Sequence, residues 1–193
     1  MLDNILRYNI VLASNSPRRR ELLAALGLRF EQHTLPAIDE SYPPTLPPHK
    51  TAEYIANKKA EAYAPTLDPK ELLITADTVV VAGEQVLGKP ANGDDARRML
   101  HLLSNRTHQV VTGVCLLTTE RKSLFSVTTD VTFKALANDE IDYYVDHYQP
   151  FDKAGAYGIQ EWIGYIGCTA LNGSYYNVMG LPVQRIYSEL QKF

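Results

Sequence analysis

The chain has 193 residues, ordinary hydrophobic and charged fractions of 45% and 21%, and a net charge of −3. That length supports one large domain or two small lobes with a real core. The charge offers no basic surface for nucleic acid, and no apolar run approaches the ~20 residues needed to span a bilayer.

In chain order, Ile10 to Leu12 reads as a buried strand, followed by a polar turn and a helix opening on three arginines. Ser16 is a good N-cap, and Pro17 fits the first helical position, where its missing N–H costs nothing. The N–H groups and positive dipole of such a helix attract an anion, and Arg18 and Arg19 add guanidinium forks that match phosphate oxygens. Arg19 shares a helical face with Leu22, Leu23 and Leu26, so it points toward a cleft rather than bulk water. A phosphorylated small molecule is the expected ligand.

Phe30 to Leu35 is a short strand candidate, and the stretch around Ala37 to Pro44 is a loop rich in turn formers. Thr51 to Ala64 reads as a helix, Leu72 to Val81 as a central strand, and Gly83 as the turn into Val86 and Leu87. Asp94 is expected to cap a helix through Leu103. Val110 to Thr118 and Leu124 to Phe133 read as two long antiparallel strands. Asn138 is expected to cap a helix to about Tyr148, Asp152 to Gln160 is a small-residue loop, Ile163 to Cys168 is a weaker strand, and Pro182 is placed at the first position of the last helix. The alternation indicates an α/β fold in which two lobes share one sheet. Cys115 lies in an apolar run and reads as a small buried hydrophobe; two cysteines give no disulfide framework or zinc spacing, and the N-terminus lacks a signal peptide's regions, so a cytoplasmic location is expected.

Charged residues inside apolar patterns mark chemistry, because a buried charge is costly unless paired. Asp77 interrupts the strongest strand; a bulge-bound carboxylate would explain it structurally, a cleft-facing base or metal ligand functionally. Lys59 falls on the apolar stripe of Ala52, Ile55, Ala56, Ala60 and Tyr63, whereas Lys58 faces away. Snorkelling competes with a phosphate-directed role there. Lys89 sits on a turn between Gly88 and Pro90. Asp39 and Glu40 form an acidic pair in a proline-bounded loop, relevant to a metal only beside Asp77. In the loop from Asp152 to Gln160, the small residues admit close backbone approach, and Gln160 offers both donor and acceptor to a base edge.

Taken in order, Ala13-Ser14-Asn15-Ser16-Pro17-Arg18-Arg19, Asp39-Glu40, Lys58-Lys59-Ala60, Ala76-Asp77-Thr78-Val79-Val80, Gly88-Lys89-Pro90, Asp152-Lys153-Ala154-Gly155-Ala156-Tyr157-Gly158-Ile159-Gln160, Asn172-Gly173-Ser174-Tyr175 and Val178-Met179-Gly180-Leu181-Pro182 span nearly the whole chain. With these motifs the sequence resembles the Maf-like nucleoside triphosphate pyrophosphatases. The resemblance implies an elongated mixed α/β sheet with flanking helices and two lobes around a nucleotide-binding cleft, like that of inosine triphosphatases and often dimeric. It implies hydrolysis of a nucleoside triphosphate to the monophosphate and pyrophosphate with a divalent cation, Mg²⁺ or Mn²⁺. By the same resemblance Asp77 is the general base and Arg18, Thr78 and Gln160 are the specificity positions. From the chemistry of the parts, Arg19, Lys59 and Lys89 are expected to neutralise the phosphate chain, Glu40 and Asp77 to be the oxygen ligands of the cation, and Ser16 and Lys153 to join the substrate-binding set. Arg18, Thr78 and Gln160 form the set of the branch acting on dTTP and UTP; the branch acting on 7-methyl-GTP tends to carry Trp after the proline and Gln after the aspartate. Gly88 departs from the pattern, since a relative carries Glu there. Glu161 to Leu171 lies outside the matching motifs and receives no role.

One carboxylate serves poorly as both a tight metal ligand and a free base, and the sequence leaves the two roles open. Relatives linked to arrest of septum formation supply an alternative, a non-enzymatic nucleotide-binding regulator; 7-methyl-GTP hydrolysis is a second. The carboxylate inside a strand favours chemistry over binding alone.

Overall fold

The computed structural model describes residues 2–193. Among the described residues seven strands form one sheet, β1 (Asn9–Leu12), β2 (Phe30–Gln32), β3 (Glu71–Ala82), β4 (Gln85–Leu87), β5 (Thr107–Leu117), β6 (Lys122–Phe133) and β7 (Cys168–Asn172), in the order β2-β1-β3-β5-β6-β7 with β4 paired to β3. The helices are α1 (Pro17–Ala24), α2 (Thr51–Tyr63), α3 (Gly93–Leu103), α4 (Asn138–Tyr148), α5 (Trp162–Gly167), α6 (Tyr175–Met179) and α7 (Val183–Leu190). β1 pairs in parallel with both β2 and β3, while β4 and β7 pair antiparallel with β3 and β6, so the sheet is mixed. Among the described residues no helix is long and apolar enough to cross a membrane.

The chain divides into two compact units, with boundaries within β3, β5 and β6 and after α6: residues 2–77, 112–127 and 180–193 form the first, and 78–111 and 128–179 the second. In the first unit, Val11, Leu73 and Cys115 from the sheet and Ala13 just after β1 pack on Ala60 and Tyr63 of α2. The buried Tyr63 hydroxyl donates to the His33 carbonyl and accepts the Leu35 N–H, tying the end of α2 to the chain after β2. α2 lies close to the sheet because Gly113 has no side chain; a β-carbon there would sit 2.3 Å from the Ala52 backbone. Thr75 of β3 donates to the Ala56 carbonyl at 2.7 Å, a second tie one turn before Lys59. Near the chain ends, the Asn4 amide donates to the Leu190 carbonyl at 2.7 Å, and Arg7 donates to the Phe193 carbonyl at 3.1 Å.

In the second unit, Val80, Leu87, Val110, Val131 and Phe133 meet Leu100 and Leu103 of α3, Ile141 and Tyr144 of α4, and Ile163 of α5. The 3₁₀ turn Ala154–Ala156 is fixed to the chain after β4 by the Gly155 N–H, which donates to the Gly88 carbonyl at 3.0 Å.

Four local expectations are corrected. Ile163 to Cys168 is not a strand: Trp162–Gly167 is helical and the strand is Cys168–Asn172. Ile163, Gly164 and Gly167 are buried and Tyr165 is exposed, a helical spacing that a short apolar run conceals. The cap of α3 is Asn92, whose side chain accepts the Asp95 N–H at 2.9 Å, while Asp94 lies in the first turn. The cap of α4 is Ala137; its N–H is accepted by Glu140 three residues on, which replaces the side-chain cap expected at Asn138. Pro182 is the cap of α7 rather than its first residue, and α6 precedes it.

Candidate active site

α1 begins as its sequence requires. Ser16 is extended and its hydroxyl accepts the Arg19 N–H at 3.4 Å, with Pro17 in the first turn. Arg18 is half-buried and Arg20 exposed. Arg19 turns inward, and its guanidinium donates to the carbonyls of Ala76 and Gly180, both at 2.9 Å. It therefore fixes the backbone carbonyl immediately before Asp77, and its charge acts on Asp77 as well.

Lys59 supplies the centre of the first unit's site. Its ammonium lies 2.8 Å from Asp77 Oδ1 and 3.0 Å from Glu40 Oε1, and the side chains of Lys59 and Asp77 are 14% and 13% exposed. Its neighbour Lys58 goes elsewhere, to Asp39 at 2.6 Å and to Ser41. The helical phase read from the sequence thus separates the two lysines. Removal from water pushes the Asp77 carboxyl above its ordinary value, and Lys59 and Arg19 pull it back. Such a carboxylate holds a proton more readily than an exposed one, which suits a base.

Among the described residues no cluster of three or more His, Cys, Asp or Glu side chains could hold a metal. Glu40 and Asp77 nonetheless converge on one ammonium, so two hard oxygen donors face a common point. Mg²⁺ is commonly held by one or two carboxylates with phosphates and water completing the shell, and this donor set fits that pattern.

The remaining sequence-derived residues lie in the second unit. Thr78 follows Asp77 on β3 and is half-buried, Lys89 is exposed on the turn after β4, and Gln160 is half-buried at the end of the small-residue loop. The hydrogen bond from Gly155 to Gly88 brings the turn carrying Lys89 beside the loop carrying Lys153 and Gln160. Lys153 is buried, and its ammonium pairs with Asp152 at 2.7 Å and Glu161 at 3.0 Å. The Tyr144 hydroxyl donates to Glu161 and accepts the Gly158 N–H. Neither Tyr144 nor Glu161 is singled out by the sequence, because their partnership joins residues 17 positions apart.

A carboxylate within a strand, bracketed by a lysine and an arginine beside a capped helix start, defines a site built for a polyanion and a proton transfer. The model of the Maf-like protein family matches residues 9–193, and the chain belongs to that family. It is 58% identical over 192 residues to a protein of Phocaeicola vulgatus named dTTP/UTP pyrophosphatase, and 57% identical over 193 residues to one of Parabacteroides distasonis with the same name, each match covering all of both chains. A solved HAM1 protein from Coxiella burnetii is 14% identical, with a TM-score of 0.49, over 96% of this chain and all of that one.

Proposed function

We propose that this protein hydrolyses dTTP and UTP to the nucleoside monophosphate and pyrophosphate. The observation that carries the reading is the buried Lys59–Asp77 pair with Glu40 and Arg19 beside it; the full-length relatives named for dTTP and UTP supply the substrate class. Attack on a polyphosphate must overcome charge repulsion, so positioned cations do most of the work. Arg18, Arg19, Lys59 and Lys89 provide them, and the helix N-terminus at Ser16 adds its N–H groups. Lys59 exchanges its carboxylate partners for phosphate oxygens as the nucleotide binds. Asp77 then accepts a proton from water as the water oxygen bonds to the α-phosphorus and the bond to the bridging oxygen breaks, releasing pyrophosphate. Glu40 and Asp77 would hold a divalent cation, Mg²⁺ or Mn²⁺, which when bound neutralises charge on the phosphate chain. The free thiols at Cys115 and Cys168 are in keeping with a cytoplasmic setting.

Base choice follows from hydrogen-bond chemistry. Thymine and uracil present two carbonyls and one N–H. Gln160 supplies donor and acceptor together, Thr78 adds a hydroxyl, and Arg18 donates to a carbonyl. Specificity constants for dTTP, UTP, CTP and 7-methyl-GTP, read as pyrophosphate release with Mg²⁺, test the proposal. We expect dTTP and UTP to be cleaved well and CTP and purine nucleotides poorly. A preference for 7-methyl-GTP overturns the roles given to Arg18, Thr78 and Gln160.

A further inference from the structure

We infer that Glu161 is a positioning residue that sets which way round the Gln160 amide faces, and through it the preference for uracil-type over cytosine-type bases. The inference rests on the reading of Gln160 as the base-contacting residue.

The geometry lies within the second unit. A β-carbon at Gly158 would stand 3.0 Å from Glu161 Oε2 and 3.1 Å from Gln160 Nε2, so both side chains fold back over the same bare Cα. The NH₂ end of the Gln160 amide thus lies on the Gly158 side, where the Glu161 carboxylate also lies. An ionised carboxylate only accepts hydrogen bonds, so it favours that orientation and opposes the flipped one. The Gln160 oxygen is left to accept the single N–H of a uracil-type ring. A flipped amide would instead offer N–H donors where cytosine presents a ring nitrogen acceptor.

Glu161 is itself held on both oxygens. Oε2 accepts from the Tyr144 hydroxyl, and Oε1 pairs with Lys153 at 3.0 Å. Tyr144 is fully buried on α4 and also accepts the Gly158 N–H at 3.0 Å, which closes a ring of contacts from Gly158 through Tyr144 to Glu161. Lys153 and Tyr144 hold the carboxylate aimed, and the absent side chain at Gly158 leaves room for it.

The test is a set of substitutions in the full chain, with kcat and KM measured for dTTP and CTP and folding followed by thermal melting. Glu161→Gln keeps the volume but offers an NH₂ group to its neighbour; Glu161→Asp keeps an acceptor-only carboxylate but shortens it. We expect Glu161→Gln to lower the ratio of dTTP to CTP specificity constants at least about tenfold, the scale of one mispaired buried hydrogen bond. The loss should fall mainly on KM for dTTP, with Glu161→Asp retaining more of the ratio. Tyr144→Phe should move the ratio in the same direction. A packing role predicts the reverse order, with the isosteric Gln tolerated and Asp costly, and that order overturns the inference. Gln160→Ala separates the two levels. If it leaves selectivity intact, Gln160 does not read the base and both assignments fall; if it abolishes selectivity while Glu161→Gln preserves it, only the role of Glu161 falls.

Discussion

Lys59 Nζ lies 2.8 Å from Asp77 Oδ1, with both side chains largely withdrawn from water. The pair joins the inward face of α2 to the Asp77 carboxylate in the middle of β3, and either charge alone would be costly in that place. A helix anchored to the sheet at Ala52 and Ala56 therefore delivers a cation to a strand that would otherwise carry an unpaired anion.

Asp77→Asn should leave the fold intact and remove most turnover. Losing a general base costs roughly 10²- to 10⁴-fold in rate. Far-ultraviolet circular dichroism and steady-state pyrophosphate release with dTTP check it; a folded variant with near-native kcat excludes Asp77 from the chemistry.

Lys59→Ala should weaken dTTP hydrolysis strongly, whereas Lys58→Ala should change stability by at most about 0.5 kcal/mol and leave hydrolysis near native, because the Lys58–Asp39 pair is exposed. Arg19→Ala should lower both activity and stability, since it removes a donor from the Ala76 and Gly180 carbonyls; two charge-assisted bonds set a scale of about 3 kcal/mol or more. Urea midpoints beside kinetic constants separate the three. Equal effects of the two lysine variants would contradict the helix phasing.

Chelation with EDTA should abolish hydrolysis, and Mg²⁺ or Mn²⁺ should restore it. Glu40→Gln should raise the metal concentration needed for half-maximal rate while preserving the melting temperature, because the Glu40 side chain is 54% exposed. A metal titration followed by pyrophosphate release decides it, and an unchanged half-maximal concentration removes Glu40 from the ligand set.

His108 makes stability depend on pH. Its ring is buried against Phe133 and Tyr157, its Nε2 lies 2.8 Å from the Tyr157 hydroxyl, and burial lowers its pKa from 6.5 to about 4. The folded state thus favours the neutral ring. Between pH 6.5 and 4 the unfolded chain binds the extra proton, so this contribution is full above 6.5 and is lost as pH falls toward 4. Moving from pH 7.5 to 5 should cost about 2 kcal/mol from this group alone. Urea unfolding at the two pH values measures it, and His108→Gln should flatten the dependence; an equally steep slope in that variant places its origin in another group.

Local signals carried much of this molecule. Ser16 and Pro17 announce α1 within four residues, and the stripe through Ala52, Ile55, Ala56 and Lys59 identifies the inward lysine because helical phase is a short-range property. Asp77 stands out because a carboxylate inside a run of Leu, Ile and Val needs a reason. Distant bonding is a different matter. That Arg19 donates to Gly180 joins residues 161 positions apart, and nothing in the arginine cluster reveals that one of the three places two of its donors on carbonyls. The helix at Trp162–Gly167 is hidden because six mostly apolar residues suit either period. The Tyr144–Glu161–Lys153 network is invisible for both reasons, as Glu161 sits beside that misread segment and its partners come from α4 and the preceding loop.

The bonds from Asn4 to Leu190 and from Arg7 to Phe193 give the first unit a seam where its two ends are stitched together. Residues 4–7 and 190–193 are thus tied side by side, and topology there is cheap to rewrite. A short glycine-serine bridge across the seam, with new ends cut at the exposed tip around Gly83 and Glu84, would yield a circular permutant that keeps every strand pairing of the sheet. Trimming the last residues, by contrast, would unpick both stitches and release the segment ahead of β1, the strand from which α1 and its arginines are launched.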